Sequence, residues 1–146
     1  MNEESIGQFF KAYESRFNAA LAGNDDVEGT RRSFADCFIE ASPAGIQCAK
    51  NDEQFSARIP KGNAFYRSIG TTVMKITGME IDILDDWHAM VEVYWHSRYR
   101  KNNGPEEIID FSVFYLLQEL NNELKIFAYI TGDEQKILRE KGLLPE

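Results

Sequence analysis

The sequence has few of the residues that most often carry protein chemistry, with two cysteines and two histidines in 146 residues. Cys37 and Cys48 are too few for the disulfide framework of a secreted domain, so we expect both to be reduced. His88 and His96 share one predicted strand about 26 Å apart, and cannot bind one metal or form one proton relay. No Cys, Asp or Glu completes a ligand set at a recognisable spacing, so the sequence predicts no metal and no cofactor.

Positive charge is also scarce, with 16 Lys and Arg against 24 Asp and Glu and a net charge of −8. An acidic chain repels nucleic-acid phosphates and anionic lipids, and the small basic cluster of Arg98, Arg100 and Lys101 does not reverse this. There is no 18-residue apolar run, no signal-peptide pattern and no glycine-rich phosphate loop. We therefore expect a soluble, cytoplasmic protein that binds neither nucleic acid nor membrane.

Apolar and aromatic residues are plentiful: 43% of the chain is hydrophobic, including 10 Phe, 6 Tyr and 2 Trp. A chain of this length can bury a sizeable core, and no linker or repeat divides it, so we expect one domain over residues 1–146.

The first 70 residues predict helices. Apolar residues at spacings of three and four over residues 6–21 predict a first helix, which begins at a Ser5–Gln8 capping box and ends at Gly23. A box of Asp25 and Glu28 predicts a second helix through residue 41, followed by a short strand over 45–49. A third helical pattern covers 55–69, with a break near Pro60.

From residue 71 the apolar period changes to two, which predicts strands over 71–84, 88–100, 107–119 and 124–131 joined by short turns. Strands joined in this way are antiparallel. Asp133 is expected to cap a last short helix. The sequence therefore predicts an α+β fold, in which N-terminal helices pack on the concave face of a long, curved antiparallel sheet that forms a cone-shaped cavity.

Three stretches resemble the ketosteroid isomerases: residues 16–23 (RFNAALAG), 34–36 (FAD) and 39–43 (IEASP), while 130–134 (ITGDE) resembles the close of that family. The layout is similar to the nuclear-transport-factor-2-like (cystatin-like) superfamily, in the branch of SnoaL-like cyclases and ketosteroid isomerases. In the isomerases a tyrosine donor follows the Arg and an aspartate base precedes the Pro. Phe17 and Ser42 hold those places, so the resemblance implies a pocket without isomerase chemistry.

Pairing across the Asn121–Asn122 turn predicts which residues share a face. It places Leu116 opposite Phe127 and Phe114 opposite Tyr129. The resemblance implies that the face carrying Phe127 and Tyr129 is concave. The other face then exposes an aliphatic row, which predicts a homodimer through the outer sheet face; the row is Val113, Leu117, Ile126 and Ile130. In the strand over 88–100, the apolar residues Val91, Val93 and Trp95 are expected to point inward, and the polar ones outward.

Aromatic residues on these elements are candidates for the lining of a cavity that takes a flat apolar ligand, although plain core packing is the slightly better explanation for any single one of them. The predicted pocket residues are Tyr13, Phe17, Ser42, Phe65, Tyr66, Trp95, Phe114, Phe127 and Tyr129. Asp110 is the candidate for a catalytic carboxylate. It lies either in the cone, where burial would raise its pKa, or at the sheet rim as a structural group.

Three functions agree with these features. The first is a pocket protein that binds a small, mostly apolar molecule in the cone. The second is a SnoaL-like cyclase or isomerase-type enzyme that uses Asp110 or a tyrosine as acid or base. The third is an interaction module that binds another chain through the outer sheet face.

Overall fold

The computed structural model describes residues 1–145, which form four helices and one six-stranded sheet. The helices are α1 (Glu3–Leu21), α2 (Val27–Arg32), α3 (Glu53–Ser68) and α4 (Glu134–Glu140). The strands are β1 (Phe34–Ser42), β2 (Gly45–Lys50), β3 (Thr71–Ile83), β4 (His88–Tyr99), β5 (Glu107–Leu120) and β6 (Glu123–Ile130).

The sheet order is β2-β1-β6-β5-β4-β3. The α+β fold with helices over the concave face of a curved, unclosed sheet is confirmed. The sheet is mixed rather than wholly antiparallel, because β1 pairs with β6 in parallel. The four strands β3 to β6 agree with the prediction, as does the cap of the last helix by Asp133. The first helix ends as predicted just before Gly23, which has a positive φ. None of the helices within residues 1–145 combines the length and apolar character needed to cross a membrane.

The predicted second helix is wrong beyond residue 32. Helix α2 ends at Arg32, and residues 34–42 form β1 between β2 and β6. Phe34 and Phe38 are both buried in the core. Their spacing of four satisfies the helical period and the strand period equally, so the pairing with neighbouring strands decided the conformation.

Two local predictions about the other helices also differ from the structure. The cap of α1 is Asn2, whose side chain accepts from the Ser5 amide while Ser5 hydrogen-bonds back to the Asn2 backbone, one turn earlier than predicted. Helix α3 continues through Pro60 without a break. Its buried residues Phe55 and Ile59 hold it in the core just before the proline, and packing there offsets the lost backbone bond.

The predicted register of β5 and β6 holds only next to the turn. Leu117 pairs with Ile126, but a bulge then shifts the pairing, so that Leu116 faces Ala128 and Phe114 faces Ile130. Phe127 is the extra residue of this bulge. Side chains alternate between the two faces of a strand, so the extra residue places the β5 residues on the face opposite to the one inferred from Tyr129.

The concave face of β5 is therefore the set that the sequence assigned to the outside. Val113, Leu117 and Ile126 are buried in the core under α1 rather than exposed for a partner subunit, which corrects the predicted dimer row. Ile130 alone of that row is exposed. On β4 the prediction is confirmed, since Val91, Val93 and Trp95 are buried.

Helix α1 is tied to β3, which is an edge strand of the sheet. The Asn18 amide donates to the Met74 carbonyl at 2.7 Å and accepts from the Met74 amide at 3.1 Å. The Glu14 carboxylate accepts from the Ile76 amide. These side chains satisfy edge groups that would otherwise be open to another strand, and they fix α1 over the concave face.

Candidate functional site

A cavity of about 570 Å³ lies between α1, α3 and the concave face of the sheet. Strands β3 to β6 supply its floor, α1 and α3 cover it, and β1, β2 and the start of α4 form its rim. Such a volume falls in the range of small-molecule sites.

Aromatic rings form most of the inner wall. The Tyr13 ring lies 6.2 Å from Trp95 and 5.9 Å from Tyr115, measured between centroids. Phe17 lies 5.3 Å from Tyr66 and 6.2 Å from Trp95. These tilted and edge-on contacts hold the rings in place, so the wall is preformed.

A carboxylate with two partners interrupts the apolar wall on β1. Glu40 accepts from the Tyr129 hydroxyl at 2.6 Å, and Arg58 on α3 donates to its two oxygens at 3.0 and 3.1 Å. The Glu40 side chain is 17% exposed, whereas that of Arg58 is 53% exposed. The guanidinium thus holds the carboxylate from the solvent side, and the carboxylate fixes the tyrosine hydroxyl on the cavity side.

A second tyrosine–carboxylate pair lies at the rim. The Tyr66 hydroxyl of α3 donates to Glu134 at 2.7 Å. Glu134 is the first residue of α4, whose N-cap is Asp133. Within residues 1–145 no cation forms a salt bridge with Glu134, so this carboxylate differs from Glu40 in having no paired guanidinium.

All the tyrosines of the wall are held in the neutral form. Burial raises the pKa of Tyr13 and raises that of Tyr115 well above its ordinary value, because a buried phenolate loses its hydration. Burial and the bonded carboxylates together raise the pKa of Tyr129 and of Tyr66. At neutral pH the wall therefore offers phenol groups, not phenolates.

The structure brings six of the predicted pocket residues together on the cavity wall, which are Tyr13, Phe17, Ser42, Tyr66, Trp95 and Tyr129. Ser42 lies at the β1–β2 turn, where its hydroxyl accepts from the Ala44 amide at 3.1 Å. Phe65 faces a neighbouring surface depression beside α4 rather than this cavity. Ligand binding by these residues stays a prediction.

Phe114, Phe127 and Asp110 were assigned to the wrong face. Phe114 is exposed on the convex side, and Phe127 packs at 6.0 Å against the ring of His88. Asp110 is 71% exposed and bonds to His96 Nδ1 at 2.6 Å, across the sheet from the cavity. Of the two expectations for Asp110, the structure agrees with a structural carboxylate outside the cone. The bulge at Phe127 accounts for these errors, because the faces were assigned through the β5–β6 register.

Sequence reasoning missed the two carboxylates and Tyr115. Glu40 was hidden because its segment was predicted as a helix, and Tyr115 because the register placed it outside. Phe34 and Phe38 fit a strand and a helix equally well, and burial along β1 does not alternate regularly, so the sequence held no decisive signal for this strand.

A curved sheet, covered on its concave face by helices and enclosing an aromatic cavity, defines the NTF2-like class of proteins. The chain belongs to the NTF2-like protein family DUF6841, whose match covers residues 2–134. The superfamily inferred from sequence is therefore confirmed. No curated protein matches the chain in sequence.

Solved structures share the fold at low sequence identity. An NTF2-like protein of unknown function from Shewanella oneidensis is 20% identical, with a TM-score of 0.68 over 91% of this chain and 100% of its own. Aln2 from a Streptomyces species is 14% identical, with a TM-score of 0.68 over 96% and 98%. An NTF2-like protein with a cystatin-like fold from Novosphingobium aromaticivorans is 12% identical, with a TM-score of 0.68 over 98% and 88%.

Proposed function

We propose that this protein binds a small, mostly apolar molecule in its cone and has no ketosteroid isomerase activity. The observation that carries the proposal is the preformed cavity of about 570 Å³, walled by aromatic rings from α1, α3 and the sheet. Phe17 and Ser42 line it at the places where the resemblance expects a donor and a base. A phenyl ring donates no hydrogen bond, and the Ser42 hydroxyl has no histidine or carboxylate partner among the described hydrogen bonds.

The two tryptophans make a direct binding assay possible. Trp95 lies on the wall and is 2% exposed as a residue, whereas Trp87 lies in a turn and is 58% exposed. The tryptophan fluorescence of the Trp87→Phe variant therefore comes from Trp95 on the cavity wall alone. Nitrobenzyl alcohol, a neutral aromatic quencher, should quench its fluorescence saturably.

The matched control is Trp95→Phe, in which the remaining exposed Trp87 should show linear, collisional quenching. A further variant, Thr131→Phe, places a ring in the cavity and should abolish saturation in the Trp87→Phe background. Linear quenching of Trp95 would contradict the proposal.

A second candidate is an enzyme that uses the Glu40–Tyr129 pair as acid and base. The observation that favours it is a fixed carboxylate and phenol 2.6 Å apart on the cavity wall. Asp110 has no part in it, because it lies on the opposite face. A base in the cavity would remove an α-proton from a bound ketone, and deuterium from heavy water would replace it.

Proton NMR of α-tetralone in heavy water tests this candidate. The pocket proposal predicts that the protein does not accelerate α-deuteration beyond buffer. Accelerated exchange that is lost in Glu40→Gln, with unchanged tetralone binding, would make the enzyme the better description.

A homodimer or a complex with another chain through the convex sheet face is a third proposal. Paired residues Phe114 and Ile130 are 36% and 47% exposed there, with Tyr94 and Ile108 exposed on the same sheet. Light scattering should give a dimer for the wild type and a folded monomer for Phe114→Asp. A wild-type monomer at high concentration would refute self-association, and a pull-down would then test a different partner.

A further inference from the structure

The polar groups of the cavity are acceptors far more than donors. The two ionisable carboxylates on its wall are Glu40 and Glu134, and no lysine, arginine or histidine of residues 1–145 lines it. Arg58 reaches Glu40 from outside the wall. An anion entering the cone would therefore approach two carboxylates and no wall cation, within a protein of net charge −8.

The tyrosines strengthen this bias. The Tyr129 hydroxyl donates a hydrogen bond to Glu40, and the Tyr66 hydroxyl donates one to Glu134. Each phenol oxygen keeps lone pairs while its donor is engaged. The carboxylate-bearing rim, defined by Glu40, Glu134, Tyr66 and Tyr129, thus presents oxygen atoms that require a donor from the ligand.

The inner wall suits the rest of such a ligand. The rings of Trp95, Tyr13 and Tyr115 line this wall. Aromatic rings attract other flat rings and, through their quadrupoles, nearby cations. Because the wall tyrosines are neutral phenols with raised pKa values, they provide this attraction without a charge of their own.

We propose that the cavity selects an arylalkylamine in its protonated form, with the aromatic ring inside the cone and the ammonium group at the carboxylate-bearing rim. The inference rests on the proposed function, since it requires that the cavity takes a small molecule at all. It adds the class of that molecule, and it disfavours carboxylates and phosphates as ligands.

Calorimetric titration of the full chain with three probes of one shape tests the proposal. Naphthylmethylamine is a cation at neutral pH, naphthylmethanol is neutral and naphthoate is an anion. At low salt we expect the amine to bind about tenfold more tightly than the alcohol, and the anion to bind most weakly. Added salt should weaken binding of the amine and leave binding of the alcohol unchanged.

Charge-removing variants locate the selectivity. Glu134→Gln keeps an oxygen for the Tyr66 hydroxyl and should reduce the preference for the amine several-fold, while affinity for the alcohol stays unchanged. Glu40→Gln should act in the same direction. Asp86→Asn removes the same charge from the exposed β3–β4 turn and should retain the full preference.

The outcomes separate the two proposals. Binding of the alcohol with no preference for the amine, or a preference that both wall variants retain, overturns the amine assignment and leaves the pocket function standing. Failure of all three probes to bind overturns the pocket function together with the assignment.

Discussion

Asn18 is one of two side chains that attach α1 to the edge strand β3, and Asn18→Ala tests its contribution. Asn18 gives and receives one hydrogen bond with the backbone of Met74, a residue that is almost fully buried. Alanine removes both bonds and leaves a buried amide and a buried carbonyl without their partner. A lost hydrogen bond costs about 1 kcal/mol, and an unsatisfied buried group about 1–3 kcal/mol.

The expected loss of unfolding free energy is therefore about 2–4 kcal/mol, since water reaches part of the vacated site. In a domain of this size such a loss lowers Tm by roughly 5–15 °C. Urea unfolding followed by circular dichroism measures the free energy, and the slope m should not change if both variants unfold in two states.

Two further variants sharpen the experiment. Asn18→Asp keeps an acceptor for the Met74 amide but places a carboxylate oxygen beside the Met74 carbonyl, so we expect a loss at least as large as that of alanine. Asn24→Ala, an exposed asparagine just after α1, should change stability by less than about 0.5 kcal/mol. If Asn18→Ala is as stable as Asn24→Ala, the side-chain bridge does not hold α1 on the sheet.

Three other predictions follow from burial and backbone geometry. The folded protein raises the pKa of its buried tyrosines above the ordinary value of 10.0. Their contribution to stability is therefore complete below about pH 10 and declines as the pH rises further. Absorbance at 295 nm should show that these tyrosines ionise at higher pH in the folded protein than in the unfolded one. Gly70→Ala should destabilise the protein by about 1–3 kcal/mol, because Gly70 has a φ of 86° and a Cβ there would lie 2.4 Å from the Arg100 carbonyl oxygen. The control Gly62→Ala should stabilise it by about 0.5–1 kcal/mol, because Gly62 is exposed in α3 with open space around it. Ile126→Asp should unfold or precipitate rather than give a folded monomer, because Ile126 is fully buried in the core, and a native circular dichroism spectrum would contradict its placement there.

The sheet was predictable from sequence wherever one face is buried and the turns are tight. Asn121 and Asn122 adopt positive φ, as a two-residue hairpin turn requires, and the alternation in β4 gave its inward face correctly. The failure came at Phe127, where a bulge changes the register. The apolar pattern does not reveal this bulge, because Ile126 and Tyr129 are acceptable on either face of the sheet.

The candidate site was predictable only in its aromatic half. Tyr13, Phe17 and Trp95 follow clear amphipathic patterns, so their inward direction could be read locally. Glu40 could not, because its position depends on the pairing of β1 with β6, which no local pattern specifies. A charged residue in a half-buried strand looks like a solvent-facing one until the partner strand is known.

The parallel pairing of β1 with β6 has a consequence for the order of folding. Glu40 and Tyr129 meet across 89 positions of sequence, whereas β3 to β6 are joined by short hairpins. Local hairpins close quickly, and distant pairing must wait until the entropy of a long loop is overcome. The meander can therefore form first, and the cavity acquires Glu40 only when β1 docks. A mutation that slows this docking would delay completion of the binding site after the meander has formed.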